Sequence, residues 1–211
     1  MSNLKFPFNG SLASCSQVGQ DLFVLSALKG KTAGTYIEIG SGPSIESSNT
    51  YLLETEYNWK GVSVEYMQNY YEDHKINRKH YIEHADATKI DYTNLLYKGG
   101  IYSTDIDYAS VDIDAEGTLI ALMNLPFNSH RFAVITFEHD SYIYGSEFKN
   151  KSREFLKNHG YVLVAGSIKP PNVNGDYEDW WVHPDLIDPF FIESLKSDEN
   201  TLKDWQSIIF K

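Results

Sequence analysis

Residues 35–43, TYIEIGSGP, constrain the fold more than any other stretch of the chain. An apolar run rich in β-branched residues (Tyr36, Ile37, Ile39) carries one carboxylate, Glu38, and stops abruptly at Gly40-Ser41-Gly42-Pro43. This pattern predicts a buried strand that ends in a glycine-rich turn. Glycine lets the chain visit φ > 0 and lets a ligand approach the backbone. In open α/β sheets, ligands sit at the carboxyl ends of the strands. Gly40, Ser41 and Gly42 are therefore candidate cofactor contacts.

The rest of the chain alternates strand and helix patterns. Strands are expected at 61–66, 81–84, 108–113, 132–137, 161–165 and 179–183, and helices at 50–56, 66–78, 118–125 and 147–158. Ser16 reads as the N-cap of a first helix with Val18, Leu22, Leu25 and Leu28 on one face, and Gly30 as its stop. Ser47-Ser48-Asn49 offers a second cap, and Leu119, Leu122 and Met123 share a helical face that ends at Pro126. Residues 90–107 receive no assignment. Such alternation predicts a doubly wound α/β sheet. The 211 residues suit one domain: a helical lead-in at 1–30, a Rossmann-like core at 35–185 and a terminal segment at 186–211. Trp205, Ile208, Ile209 and Phe210 make that segment too apolar for a free tail, so it docks on the body or on the second subunit of a homodimer.

The formal net charge of -11, without a basic block, argues against nucleic acid as a partner. Cys15 is the single cysteine, which excludes an intrachain disulfide and a cysteine-based zinc site. The N-terminus shows no signal pattern, and no run approaches a membrane span. The expectation is a cytoplasmic protein with no membrane partner.

A dinucleotide site needs G-x-G-x-x-G opening directly into a helix. Here Ile45 stands at the third glycine position and Pro43 delays the helix. S-adenosylmethionine carries a sulfonium, an ammonium and a ribose diol but no phosphate, so carboxylates suit it. The chain supplies them at successive strand ends: Glu38, Glu65, Asp86, and Asp112 with Asp114. Glu65 is placed to accept from the ribose hydroxyls. Asp86 is placed to accept from the adenine amine with Ala87 leaving room for the ring, and Asp112 faces the methionine end.

The ordered set Ser16-Gln17-Val18-Gly19-Gln20-Asp21, TYIEIGSGP, Ser48-Asn49-Thr50-Tyr51-Leu52-Leu53, Trp59-Lys60-Gly61, Val111-Asp112-Ile113-Asp114-Ala115-Glu116-Gly117 and Ile135-Thr136-Phe137-Glu138-His139 resembles the FkbM-type methyltransferases. The resemblance runs from about residue 16 to 166. It implies a class I methyltransferase sheet, mainly parallel with an antiparallel seventh strand, and methyl transfer from S-adenosylmethionine, usually to oxygen. It further implies cofactor roles for Glu38, Gly40, Gly42, Asn49, Thr50, Glu65 and Asp112. Thr118 departs from the charged or histidine residue that usually follows Glu116-Gly117.

Methyl transfer needs alignment, exclusion of water and, for a hydroxyl acceptor, a base. His139 and Asp114 are the candidate bases. Asp112, Glu138 and Asp140 offer an alternative use as Mg²⁺ ligands, but no metal is assigned. Trp180 and Trp181 serve either to wall the acceptor site or to fill the core. The expected partner is a small hydroxylated acceptor or a sugar. The alternative readings are an NAD-dependent oxidoreductase and a non-catalytic module on the same fold.

Overall fold

A computed structural model describes residues 4–113, 115–170, 172–196 and 198–211. The chain runs α1 (Gln20–Ala27), β1 (Thr35–Ile39), α2 (Tyr51–Tyr57), β2 (Lys60–Glu65), α3 (Gln68–Asn77), β3 (Tyr81–His84), α4 (Tyr92–Lys98) and β4 (Asp105–Val111). It continues through α5 (Ala115–Asn124), β5 (Arg131–Glu138), α6 (Ser141–Tyr144), α7 (Glu147–Asn158), β6 (Val162–Ile168), β7 (Glu178–Val182), α8 (Pro189–Leu195) and α9 (Gln206–Ile209).

The strands form one seven-stranded sheet in the order β3-β2-β1-β4-β5-β7-β6. The first five are mutually parallel, and β7 is antiparallel to both β5 and β6. This is the doubly wound, mainly parallel sheet expected from the sequence. Strand order reverses between β1 and β4, so the helices after these strands fall on opposite faces and a crevice opens at their carboxyl ends.

Each strand feeds both faces because alternate side chains point opposite ways. Tyr36, Val134 and Trp180 join a cluster with Leu22 and Leu25 of α1, Leu52 and Leu53 of α2, and Phe191 of α8. Ile37, Ile135 and Trp181 join the opposite cluster with Leu95 of α4, Leu119 and Leu122 of α5, and Leu156 of α7. The central strand β5 is buried from Phe132 to Phe137, which accounts for its unbroken apolar run. Trp180 and Trp181 are core residues, one on each face, and wall no acceptor site.

Several local expectations are corrected. Ser16 does not cap α1; the helix starts at Gln20 behind left-handed Gly19, and the Ser16 hydroxyl donates to Asp21 at 2.8 Å. All of α1 is buried, including Gln20, Asp21 and Ser26, so it has no solvent-exposed face. In α5, Leu119 and Leu122 are buried but Met123 is 53% exposed. The unassigned stretch holds α4 and the start of β4, and α6 and α8 are elements the sequence pattern does not announce. The N-cap position of α2 is Thr50, whose side chain makes no capping bond, while Ser48 Oγ, two residues earlier, accepts from Tyr51 N at 3.1 Å. No described helix is long and apolar enough to cross a membrane.

Candidate functional site

A cavity of about 530 Å³ opens at the carboxyl ends of β1 to β4, within the size range of small-ligand sites. The turn after β1 contributes Gly40, Ser41, Gly42, Pro43, Ser47 and Asn49. Glu65 and the following Tyr66, Met67 and Tyr70 form a second wall, Ala85, Asp86 and Ala87 a third, and Asp112 and Ile113 a fourth. Gln17 reaches in from the lead-in.

The glycine turn is shaped by its neighbours. Gly40 has φ +82°, and a Cβ there would lie 1.8 Å from the Asp112 carbonyl oxygen. The ends of β1 and β4 approach this closely because Asp112 N donates to Ile39 O at 3.0 Å. Gly42 has φ +53° and open space where a Cβ would be. Its N–H donates to Glu65 Oε2 at 2.9 Å, and Met67 N donates to Glu65 Oε1 at 2.6 Å. Glu65 thus holds the turn in shape while lining the cavity.

The other expected residues have distinct environments. Glu38 lines the cavity, but its buried carboxyl accepts from Thr50 Oγ1 at 2.7 Å and Ser63 Oγ at 2.8 Å. Burial pushes that carboxyl up, against the pull of the Arg78 charge. Thr50 is wholly buried behind the wall, where it also accepts from Arg78 Nη2 at 2.7 Å. Asn49 donates from Nδ2 to Ser110 Oγ at 2.9 Å, while its buried Oδ1 has no hydrogen-bond partner. Asp86 accepts from Thr88 and pairs with Lys89 at 2.8 Å. The Lys89 and Thr88 hydrogen bonds hold its carboxyl down to about 2.

Asp112 is partly buried beside Glu138. Burial pushes its carboxyl up to about 6; the hydrogen bond with Glu138 lowers it and the Asp140 charge raises it. Burial and then the Asp112 charge push Glu138 far above the usual carboxylate range. Asp114 lies outside the described residues.

The structure does not bring His139 to the cavity. Its ring is fully buried, its Nδ1 lies 3.3 Å from the Ser141 N–H, and its Nε2 faces Asp176 at 3.4 Å and Asp179 at 3.6 Å. These three side chains have the spacing of a metal site. However, Asp179 is already paired with Arg153 at 2.6 Å and Asp176 with Lys149 at 2.5 Å. Nδ1 accepts from the Ser141 N–H and lies 2.9 Å from the Ser141 hydroxyl. Both carboxylates are thus already held by cationic side chains, while His139 Nε2 and Asp176 Oδ1 have no hydrogen-bond partner among the described residues.

The donor set fits S-adenosylmethionine. No described lining residue is Lys, Arg or His, whereas Glu38, Glu65, Asp86 and Asp112 all line the cavity. A pyrophosphate would find no counter-charge, and α2 begins at Tyr51, well after the glycine turn. A sulfonium and an ammonium would meet carboxylates and the unpartnered Asn49 Oδ1. Sequence reasoning missed Arg78 and Tyr177 and gave no cavity role to Tyr66 and Met67. The exposed aromatic directly after Glu65 was the available signal for Tyr66; Arg78 and Tyr177 gave none.

No family model and no curated protein matches the chain. Solved structures do. A protein from Clostridium thermocellum assigned as an rRNA-methylase aligns over 82% of this chain and 97% of its own, at 14% identity and a TM-score of 0.52. The chain has the class I methyltransferase fold. A protein from Pyrococcus horikoshii assigned as an RNA methyltransferase is similar over 79% of this chain and 83% of its own, at 13% identity and a TM-score of 0.51. The M. capricolum TrmK structure, in complex with S-adenosyl-homocysteine, is similar over 81% of this chain and 73% of its own, at 12% identity and a TM-score of 0.51.

These neighbours correct the expectation of a small-molecule acceptor and no nucleic-acid partner. The same fold is found in proteins assigned to RNA methylation. A net charge of -11 sums the whole surface and says little about the one face where an acceptor docks.

Proposed function

We propose that the chain binds S-adenosylmethionine in this cavity and transfers its methyl group. The observation that carries this reading is a wall of carboxylates with no cationic side chain among its described residues, set at the strand-order switch behind a glycine turn. The ordered motifs resembling the FkbM family are part of the same proposal, as is an oxygen acceptor. The bound cofactor supplies an electrophilic methyl group on a sulfonium.

The chain's own residues bind and orient. Glu65 accepts from the ribose hydroxyls, chiefly through Oε1, which holds only Met67 N, whereas Oε2 already accepts from Gly42 N and Ser41 Oγ. Asn49 Oδ1 accepts from the ammonium. Asp86 and Ala87 border the adenine. Asp112, with its carboxyl near 6, is poised to take a proton from the acceptor at neutral pH.

Thermal unfolding with S-adenosylhomocysteine or NAD tests the reading. A ligand specific to the folded state adds about 2.7 kcal/mol at a hundredfold excess over its dissociation constant, a shift of several degrees for a chain of this size. Stabilisation by S-adenosylhomocysteine alone supports the proposal, and stabilisation by NAD alone sinks it. Glu65→Gln is expected to weaken S-adenosylhomocysteine binding by roughly tenfold or more through loss of a charged acceptor, while the unfolding transition stays cooperative; unchanged affinity in calorimetry would remove Glu65 from the ribose.

A further inference from the structure

Residues 14–17 form a strap between the start of α1 and the glycine turn, and a role for it in holding the methyl donor rests on the proposed use of the cavity. Asp21, in the first turn of α1 and fully buried, anchors the strap. Its Oδ1 accepts from Ser14 Oγ at 2.7 Å and Ser16 Oγ at 2.8 Å, and its Oδ2 from Cys15 N at 2.8 Å. Ser16 pairs with Ser47 of the glycine turn in an isolated parallel bridge. Past the strap, Val18 N donates to Gln20 Oε1 at 2.9 Å, and Gln20 Nε2 donates to Glu178 Oε2 at 2.7 Å, which pins the chain to the start of β7. Gln17 stands between these anchors and lines the cavity.

The place of Gln17 follows from the strand order. Asp86 and Ala87 line the cavity after β3 and Glu65 at the end of β2, all on one side of β1. Gln17 is held from the other side. Its Oε1 lies 2.9 Å from the hydroxyl of Tyr177, just before β7, and that hydroxyl also contacts Glu138 Oε2 at the end of β5. A methyl donor whose adenine borders Asp86 and whose ribose meets Glu65 therefore extends its amino-acid end over β1 and β4 toward Gln17. That end carries a carboxylate as well as an ammonium. The described lining residues include four carboxylates and no cationic side chain, so the ligand's carboxylate needs neutral hydrogen-bond donors. Ser41 Oγ is turned to Glu65, and Asn49 Nδ2 donates to Ser110 Oγ. Tyr66 and Tyr70 follow β2, on the adenosine side. With Oε1 turned to Tyr177, the Gln17 amide has its Nε2 N–H groups left to offer a ligand.

We infer that Gln17 binds the carboxylate at the amino-acid end of the methyl donor, donating from Nε2, while Asn49 Oδ1 takes the ammonium. A neutral amide suits this place better than a lysine or an arginine. A fixed cation would hold the carboxylate but repel the sulfonium and ammonium of the same ligand, whereas an amide serves the carboxylate without that cost.

Calorimetry of the full chain with S-adenosylmethionine and with its decarboxylated analogue isolates the carboxylate, because the analogue keeps the adenosine, the sulfonium and the ammonium. Gln17→Leu should weaken S-adenosylmethionine by roughly tenfold or more and leave the analogue unchanged. Gln17→Glu keeps the shape but sets one carboxylate against another. It should weaken S-adenosylmethionine at least as much and should not weaken the analogue. Gln17 is exposed and belongs to neither core cluster, so both variants should unfold at the wild-type midpoint. Unchanged affinity for S-adenosylmethionine in Gln17→Leu, or an equal loss for both ligands, overturns the inference and leaves the proposed function standing. Tighter S-adenosylmethionine binding by Gln17→Glu also overturns it, since the amide would then be turning its oxygen to the ammonium. Binding of neither ligand by the wild type overturns the proposed function and the role of Gln17 together.

Discussion

Gly40 and Arg78 bound the residue scale: one was legible in the sequence and the other was not. At Gly40 an added Cβ meets the Asp112 carbonyl at 1.8 Å in a left-handed conformation. Gly40→Ala is therefore expected to cost about 2 to 3 kcal/mol in urea unfolding and to abolish cofactor binding, because the end of β4 must move. The glycine announced itself because only glycine tolerates such a turn after an apolar run. Arg78, by contrast, looks like an ordinary charged residue at a helix end. It is in fact buried, donating to Glu54 at 2.7 Å, to Tyr36 Oη at 3.0 Å and to Thr50 at 2.7 Å. Arg78→Met should destabilise by about 3 to 5 kcal/mol, since it strands the buried Glu54 carboxylate; a loss below about 1 kcal/mol, the scale of an exposed pair, would show that the network is dispensable. Its partners come from β1 and α2, and no local pattern in the sequence encodes that meeting. His139 misleads for the same reason: its place after β5 is legible, but which way the ring points depends on Asp176 and Asp179, far along the chain.

Among the elements, the sequence resolved best those with a strong period or a sharp stop. The strands β1, β2, β4 and β5 fall within a few residues of their expected places because buried parallel strands are largely apolar runs, and antiparallel β7 was found by its apolar Trp180-Trp181-Val182 after a Pro- and Gly-rich break. Short α6 and α8 escaped because a helix of one or two turns has too few positions to establish a period. The C-terminal segment was recognised by its apolar content alone. Ile208 and Ile209 are buried, and Leu4 bridges Phe210. Trp205 lies over Gly19, where a Cβ would come within 2.3 Å of its ring, at the start of α1. Trp205→Ala should therefore cost about 2 kcal/mol, and Gly19→Ala should be less damaging in the Trp205→Ala background than alone. Additive effects in that double-mutant cycle would separate the terminal segment from α1.

Across the whole molecule, buried titratable groups pull the pH dependence of stability in opposite directions. His74 is fully buried and neither ring nitrogen has a partner among the described residues. Burial first, then the Arg78 charge, pull it from an ordinary 6.5 down to about 4. Between those values the unfolded chain binds more protons than the folded one, so stability is full above 6.5 and falls as pH drops toward 4. The loss amounts to at most about 3 kcal/mol. His74→Leu should flatten that fall in denaturant titrations, and an unchanged slope would assign the acid sensitivity elsewhere. Asp112 works the other way, losing stability as pH rises through about 6. The strand order carries a consequence for synthesis. β5 acquires its outer neighbour only when β7 arrives, and β7 inserts between β5 and the earlier-made β6. A nascent chain paused before residue 178 presents the bare edge of its most apolar strand to the cell. The ribosome-bound intermediate, more than the finished protein, is where this sequence is exposed to aggregation.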